Sequence, residues 1–167
     1  KSLWDPSLAL TKAWYDASDS SSITESVGVV SEWRDKSGND NHLNDIITGT
    51  SFPTYGARYQ NSLNVVDFTS DQNIIRQTSN NFGNTSQTWF ILCQVDSGGV
   101  DNANDSVISY RTDQNLDGTW QLASNDSSEF FGKLVKDIPD SPPTSNMSGV
   151  DLSGNYHIYT IQFDRSS

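Results

Sequence analysis

The chain has 167 residues, enough for one domain that buries about two-thirds of the surface of its unfolded state. Its formal net charge of −11 argues against nucleic-acid binding, because phosphate contacts need a basic face, and equally against binding to an anionic membrane. Hydrophobic residues make up only 34% of the sequence but aromatic residues 11%, which argues against disorder and predicts a core built from a few large side chains.

The sequence contains a single cysteine, Cys93, so no intrachain disulfide can form. It lies in an apolar run and is most simply a small buried hydrophobic residue. No stretch approaches the about 20 consecutive apolar residues of a membrane-spanning helix. We therefore expect neither a disulfide scaffold nor insertion into a membrane.

Two short strands and a tight turn are predicted in the first quarter of the chain. Ala13–Ala17 and Gly28–Trp33 alternate in side-chain character, as half-buried strands do. The Asp-Lys-Ser-Gly-Asn run of Asp35–Asn39 follows directly and has the composition of a turn. Asp35 is expected to accept hydrogen bonds from backbone N–H groups, and the glycine or the asparagine of this run is expected to take positive φ.

Further strands are predicted where β-branched and aromatic residues are frequent. They are Leu63–Phe68, Ile74–Ile75, Trp89–Val95, Val107–Arg111, Thr119–Ala123, Glu129–Val135 and Tyr156–Asp164. Trp89–Val95 is apolar on both faces, which predicts a central strand covered from both sides. The polar stretches Asn41–Phe52 and Asp137–Asn155 predict irregular connections. No segment longer than about eight residues follows the period of a helix.

Many short strands separated by turn signals predict an all-β fold, an antiparallel two-sheet sandwich of the jelly-roll kind. Neither an internal repeat nor a linker composition divides the sequence, so we expect a single domain over residues 1–167. The last predicted strand ends at Asp164 without a following hairpin partner. We therefore expect a chain cut short at its C-terminal end and belonging to a longer protein.

Four segments of the first half carry a resemblance to a known family. They are Trp14–Asp19, Val30–Asn39, Phe52–Tyr55 and Val65–Phe68. Together they resemble the opening of concanavalin A-like, laminin-G-like domains, which occur in bacterial surface proteins and bacteriophage virion proteins. The resemblance implies a jelly roll that binds a carbohydrate or protein ligand outside a cell or on a virion, often with calcium. A minority of such domains are glycosidases or lyases.

One segment matches the start of a calcium-binding loop. Asp113, Asn115 and Asp117, with the glycine after them, occupy its first six positions, where alternate oxygens converge and glycine permits a sharp turn. Ser124 stands at the twelfth position in place of the bidentate glutamate of an EF-hand. The Asp-Gly ending is equally a signal for a hairpin turn. A Ca²⁺ site and a plain hairpin loop both remain open.

Two other groups of oxygen side chains are candidates for Ca²⁺. One group comprises Asp101, Asn104 and Asp105. The other comprises Asp16, Asp19, Asp35 and Asn39, which would meet if the first two predicted strands are neighbours. The alternative is that Asp35 and Asn39 bond to the backbone of their own loop, as turn residues of these types usually do.

An exposed aromatic ring beside oxygen side chains is the expected design of a sugar-binding site. The candidate rings are Tyr55, Tyr59, Tyr110 and Trp120. The alternative for each is a place in the core, where most large aromatic side chains lie.

Catalytic patterns are missing from the sequence. Glycoside hydrolysis needs two carboxyl groups flanking the bond, but the glutamates Glu25, Glu32 and Glu129 are scattered. His42 and His157 have no partner at metal-ligand spacing, and His157 is expected at an edge or on the surface. We therefore predict a non-enzymatic recognition module for a surface glycan or protein. The alternative is a structural spacer or decoration domain that packs against sister subunits and binds no small ligand.

Overall fold

The computed structural model describes residues 6, 9–44, 52–69, 86–94 and 154–163, together with the backbone of four strands between residues 106 and 147. The chain divides into two compact units, unit 1 (residues 1–79) and unit 2 (residues 80–167). The described residues include eleven β-strands and no α-helix, and all their pairings are antiparallel. The all-β prediction is confirmed. The jelly-roll sandwich and the single domain stay predictions.

Unit 1 contains a five-stranded sheet. Its strands are β1 (Ile23–Ser26), β2 (Val29–Trp33), β3 (Leu43–Asn44), β4 (Thr54–Gln60) and β5 (Leu63–Asp67). The order is β1-β2-β4-β5, and β3 pairs with the end of β2. Val30 is completely buried, and its N–H donates to the carbonyl of the equally buried Pro53, which joins β2 to the start of β4.

The prediction of a strand at Ala13–Ala17 was wrong. The Trp14 N–H donates to the carboxylate of Asp35, and the Trp14 carbonyl accepts from the N–H of Lys36. The N–H and the carbonyl of Trp14 therefore bond to the turn after β2 and are not available for pairing with a neighbouring strand. A single turn of 3₁₀-helix, Ser20–Ser22, follows with Asp19 as its N-cap.

The strand β4 was not predicted, because its alternation is interrupted. Gly56 has φ of +80°, and the register with β5 shifts between Tyr55 and Tyr59. Such a bulge moves the following side chains out of the simple period of two residues. A pattern search based on that period therefore misses the strand.

The β1–β2 hairpin turns on two residues with positive φ, Val27 at 52° and Gly28 at 78°. A type I′ turn requires this conformation at both central positions. Glycine adopts it freely, but a β-branched residue there is strained. The side chain of Val27 is 98% exposed, so no packing offsets the strain.

Replacing Val27 by Asn should raise the free energy of unfolding by about 1 kcal/mol, because Asn tolerates the left-handed region and Asn-Gly is a preferred type I′ pair. Urea denaturation of the full chain measures the difference. Asn61→Val is the matched control, since Asn61 has φ of 50° in the β4–β5 hairpin and should lose a similar amount. A Val27→Asn chain no more stable than the unmodified one would contradict the prediction.

Unit 2 contains two described sheets. The strands β7 (Ser106–Tyr110), β8 (Trp120–Ser124), β9 (Phe130–Leu134) and β10 (Thr144–Met147) form the sheet β10-β9-β8-β7, and β6 (Gln87–Gln94) pairs with β11 (Tyr156–Phe163). Five of these six strands lie where the sequence predicted them. β10 lies within Asp137–Asn155, where no strand was expected, and Ile74–Ile75 lies outside the described residues.

The expectation that Trp89–Val95 is covered from both sides was wrong. Phe90 and Leu92 of β6 are 67% and 65% exposed, and Ile158, which lies opposite Leu92 on β11, is 72% exposed. On the other face of this ribbon Tyr159 is only 7% exposed. One face of this strand pair is therefore covered, and the other face is apolar but exposed. We call Phe90, Leu92 and Ile158 on that face the exposed apolar strip.

Candidate functional site

Asp35 is the centre of a hydrogen-bond network that closes the turn after β2. Its carboxylate accepts from the N–H groups of Trp14 (2.8 Å), Ser37 (2.8 Å) and Asn41 (3.0 Å). It also accepts from the Ser37 hydroxyl at 2.7 Å. Because Asp35 is only 7% exposed, these donors replace the water that would otherwise solvate its charge.

The rest of the turn is also held by bonds to backbone groups. The Asp35 N–H donates to Nδ1 of His42 at 3.0 Å, and Nδ2 of Asn39 donates to the carbonyl of Thr11 at 2.9 Å. Gly38 has φ of +84°, which confirms one of the two predicted alternatives, and Asp40 beyond the run also has positive φ, at 54°. Asp35 therefore binds the backbone of its own turn at Ser37 and that of the distant Trp14, whereas Asn39 binds the carbonyls of Thr11 and Lys12.

The ammonium group of Lys36 contacts two of the acidic side chains of the third candidate set. Its Nζ lies 3.0 Å from Oδ2 of Asp16 and 2.7 Å from Oδ2 of Asp19. The same ammonium lies 4.4 Å from the centre of the Trp14 ring, a cation–π distance. The two carboxylates thus share one ammonium group, which compensates part of their negative charge.

In the described residues the side chains of the third candidate set, Asp16, Asp19, Asp35 and Asn39, are not arranged as a calcium site. The Asp35 oxygens point at N–H donors, and the other two carboxylates bind Lys36. In the described part of the chain no group of three or more His, Cys, Asp or Glu side chains can hold a metal ion. The feature of the sequence that could have indicated this ion pairing is the lysine in the Asp35–Asn39 run.

The same contacts favour the ionised carboxylates. The hydrogen bond from Lys36 lowers the pKa of Asp19 to about 2. Burial alone would raise the pKa of Asp35, but the bonds from Ser37 and Trp14 outweigh it and hold the pKa below the usual 3.8. The bond with Asp19 in turn raises the pKa of Lys36 above 10.5.

Unit 1 should lose stability on acidification. The pKa values of Asp16, Asp19 and Asp35 are depressed below the value of 3.8 expected in the unfolded chain. Their stabilisation is therefore complete above about pH 5 and is lost as the pH falls from about 4 towards 2. Hydrogen exchange of residues 12–41, measured by mass spectrometry across this range, should show increasing opening. Unchanged protection at about pH 3 would contradict the prediction.

Tyr55 and Tyr59, the first two candidate rings, both lie on β4 but differ in exposure. Tyr59 is 63% exposed, so its ring is accessible to a ligand. Tyr55 is half-buried, and its hydroxyl is buried without a hydrogen-bond partner among the described residues. Of the two rings on β4, Tyr59 has the exposure that a stacking platform needs.

Tyr110 and Trp120, the other two candidate rings, are brought together by the strand register. Tyr110 ends β7, Trp120 begins β8, and the two residues lie directly opposite each other. The loop that connects them contains Asp113, Asn115 and Asp117. Two aromatic residues selected separately from the sequence thus occupy paired positions at the base of the first candidate calcium loop.

The candidate ligands themselves lie outside the described residues. They are Asp101, Asn104, Asp105, Asp113, Asn115 and Asp117. Both calcium predictions stay predictions.

His157 and Cys93 are opposite one another in the β6–β11 register, a pairing that sequence analysis missed. Their strands are far apart in the sequence, and no local signal reports such a register. Burial raises the pKa of the Cys93 thiol to about 11, so the thiol is neutral and a poor nucleophile. Cys93 was expected to be a small buried hydrophobic residue, and the structure places it half-buried.

Comparison with known proteins adds no relative. No protein-family model, no curated protein and no solved structure matches the chain. The resemblance to concanavalin A-like domains therefore rests on the four sequence segments alone. Within the described residues, no helix is long and apolar enough to cross a membrane.

Proposed function

We propose that the chain is a non-enzymatic recognition module that binds a carbohydrate or a protein on a surface, outside a cell or on a virion. The supporting observation is the placement of Tyr110 opposite Trp120 at the two ends of the loop that contains Asp113, Asn115 and Asp117. A ligand bound at this end of the β7–β8 hairpin would meet aromatic rings and oxygen side chains together.

The chemistry of these residues suits a sugar. Opposite positions on antiparallel strands share a face of the sheet, and tyrosine and tryptophan are residue types on which a pyranose can stack. The loop oxygens accept hydrogen bonds from sugar hydroxyls. They are also the ligands that Ca²⁺ prefers, so Asp113, Asn115 and Asp117 would hold this ion in the proposed site.

The net charge narrows the class of ligand. At −11 the chain repels polyanions, so we propose a neutral glycan or a basic protein surface rather than an acidic polysaccharide. Charge of this sign also keeps the module away from nucleic acids and anionic lipids.

A glycan array tests the proposal with the full chain in Ca²⁺. Trp120→Ala should weaken binding to every recognised glycan by at least about tenfold, because truncating a central aromatic contact usually costs about 2 kcal/mol or more. Tyr59→Ala provides the comparison from unit 1. If Tyr59→Ala abolishes binding and Trp120→Ala does not, the site lies on β4 instead.

The exposed apolar strip on β6 and β11 favours a second candidate function. Phe90, Leu92 and Ile158 could pack against a sister copy of the chain in a structural spacer or decoration domain. Sedimentation of the full chain distinguishes the two candidates. The structural function predicts self-association that Leu92→Lys abolishes, together with no glycan binding; a chain that stays monomeric at all concentrations tested would argue against it.

A further inference from the structure

Two buried polar atoms beside the Asp35 turn have no hydrogen-bond partner among the described residues. They are Nε1 of Trp33 and Oδ1 of Asn41. Asn41 is only 3% exposed, so its side-chain oxygen has no access to bulk solvent. Native proteins pair almost all such groups, with protein atoms or with ordered water.

The chemical character of both atoms is fixed. The indole Nε1–H can only donate. The amide of Asn41 cannot be turned round, because its Nδ2 donates to the carbonyl of Lys12 and a rotated amide would face oxygen against oxygen. The two atoms are therefore one donor and one acceptor, and they do not bond to each other.

Tyr15 places the two residues in one neighbourhood. Its ring lies 5.8 Å from the Trp33 ring, centre to centre, and its hydroxyl donates to the backbone carbonyl of Asn41. The β2–β3 register points the same way: Trp33 pairs with Leu43, and Asn41 precedes Leu43 by two residues, a diagonal position across the pair.

We infer that one buried water molecule bridges Trp33 and Asn41, accepting from Nε1–H and donating to Oδ1. A water molecule supplies the acceptor and the donor at once, and buried waters usually have two to four polar partners. The Asn41 N–H also bonds to Asp35, so the water would extend the Asp35 network to the indole at the end of β2. It would belong to the folded unit rather than to its solvent shell.

A high-resolution crystal structure of the full chain tests the inference directly. We expect a water oxygen about 2.7–3.2 Å from both Nε1 of Trp33 and Oδ1 of Asn41. A direct bond between those two atoms, or a water that contacts only one of them, would overturn it.

Water–protein NOE measurements provide an independent readout in solution. The indole N–H of Trp33 should show an NOE to a long-lived water. The indole of Trp89 is the internal control, because its Nε1 donates to Oε1 of Gln87 at 3.0 Å and should show no such NOE. Identical behaviour of the two indoles would contradict the bridging water.

Discussion

Asp35→Asn should lower the free energy of unfolding of unit 1 by about 2–4 kcal/mol, whereas Asp40→Asn in the same turn should change it by less than about 0.5 kcal/mol. Both substitutions remove one negative charge from the same segment of a chain with a net charge of −11. The pair therefore separates the hydrogen-bonding role of Asp35 from any general effect of charge.

The difference follows from what each carboxylate contacts. Asp35 accepts bonds from two backbone N–H groups outside its own turn, those of Trp14 and Asn41. An asparagine would turn an NH₂ group towards one of these donors and leave that donor buried and unpaired. The side chain of Asp40 is 92% exposed, and its φ of 54° is one that asparagine tolerates.

Hydrogen exchange gives the local readout. In Asp35→Asn the amides of Trp14, Ser37 and Asn41 should lose protection together, while the β6–β11 ribbon of unit 2 should be unaffected. Urea denaturation of the full chain gives the size of the loss. Equal effects of the two substitutions would show that the network around Asp35 does not stabilise the unit.

Saturating Ca²⁺ should raise the melting temperature of the full chain, and Asp117→Ala should remove the increase. An ion that binds only the folded state stabilises it by about 2.7 kcal/mol at one hundred times its dissociation constant. For a unit the size of unit 2 that corresponds to a rise of roughly 10–20 °C in the melting temperature. Differential scanning fluorimetry with Ca²⁺ or with a chelator measures the shift.

Variants of the other loop locate the ion. If Asp101→Ala removes the shift and Asp117→Ala does not, the ion lies in the loop of Asp101, Asn104 and Asp105. Asp40→Asn should leave the shift unchanged. A melting temperature of the unmodified chain that is the same with Ca²⁺ and with chelator would contradict the calcium proposal.

Local patterns predicted most strands of this fold. Tyr156–Phe163 and Leu63–Asp67 carry their signal within their own residues, in alternation and β-branched content, so their positions followed from the sequence. The turn at Asp35–Asn39 followed in the same way, because aspartate and glycine there have specific backbone roles.

Contacts between distant residues could not be predicted. Trp14 lies in a segment with the composition of a strand. Its N–H instead bonds to the carboxylate of Asp35, which is 21 positions away in the sequence. Asp16 and Asp19 have the composition of a metal site, but both bind Lys36, which is distant from them in the sequence. The opposition of Tyr110 and Trp120 depends on strand register, which local composition does not specify.

We propose that the β7–β8 end of unit 2 recognises a glycan through aromatic residues and loop oxygens. The most direct test of this proposal is glycan-array binding by the full chain, with Ca²⁺ and with chelator, beside Trp120→Ala. We expect binding to neutral glycans that the chelator abolishes and that Trp120→Ala weakens at least about tenfold. Absence of binding to any glycan, or binding that neither the chelator nor the substitution changes, would contradict it.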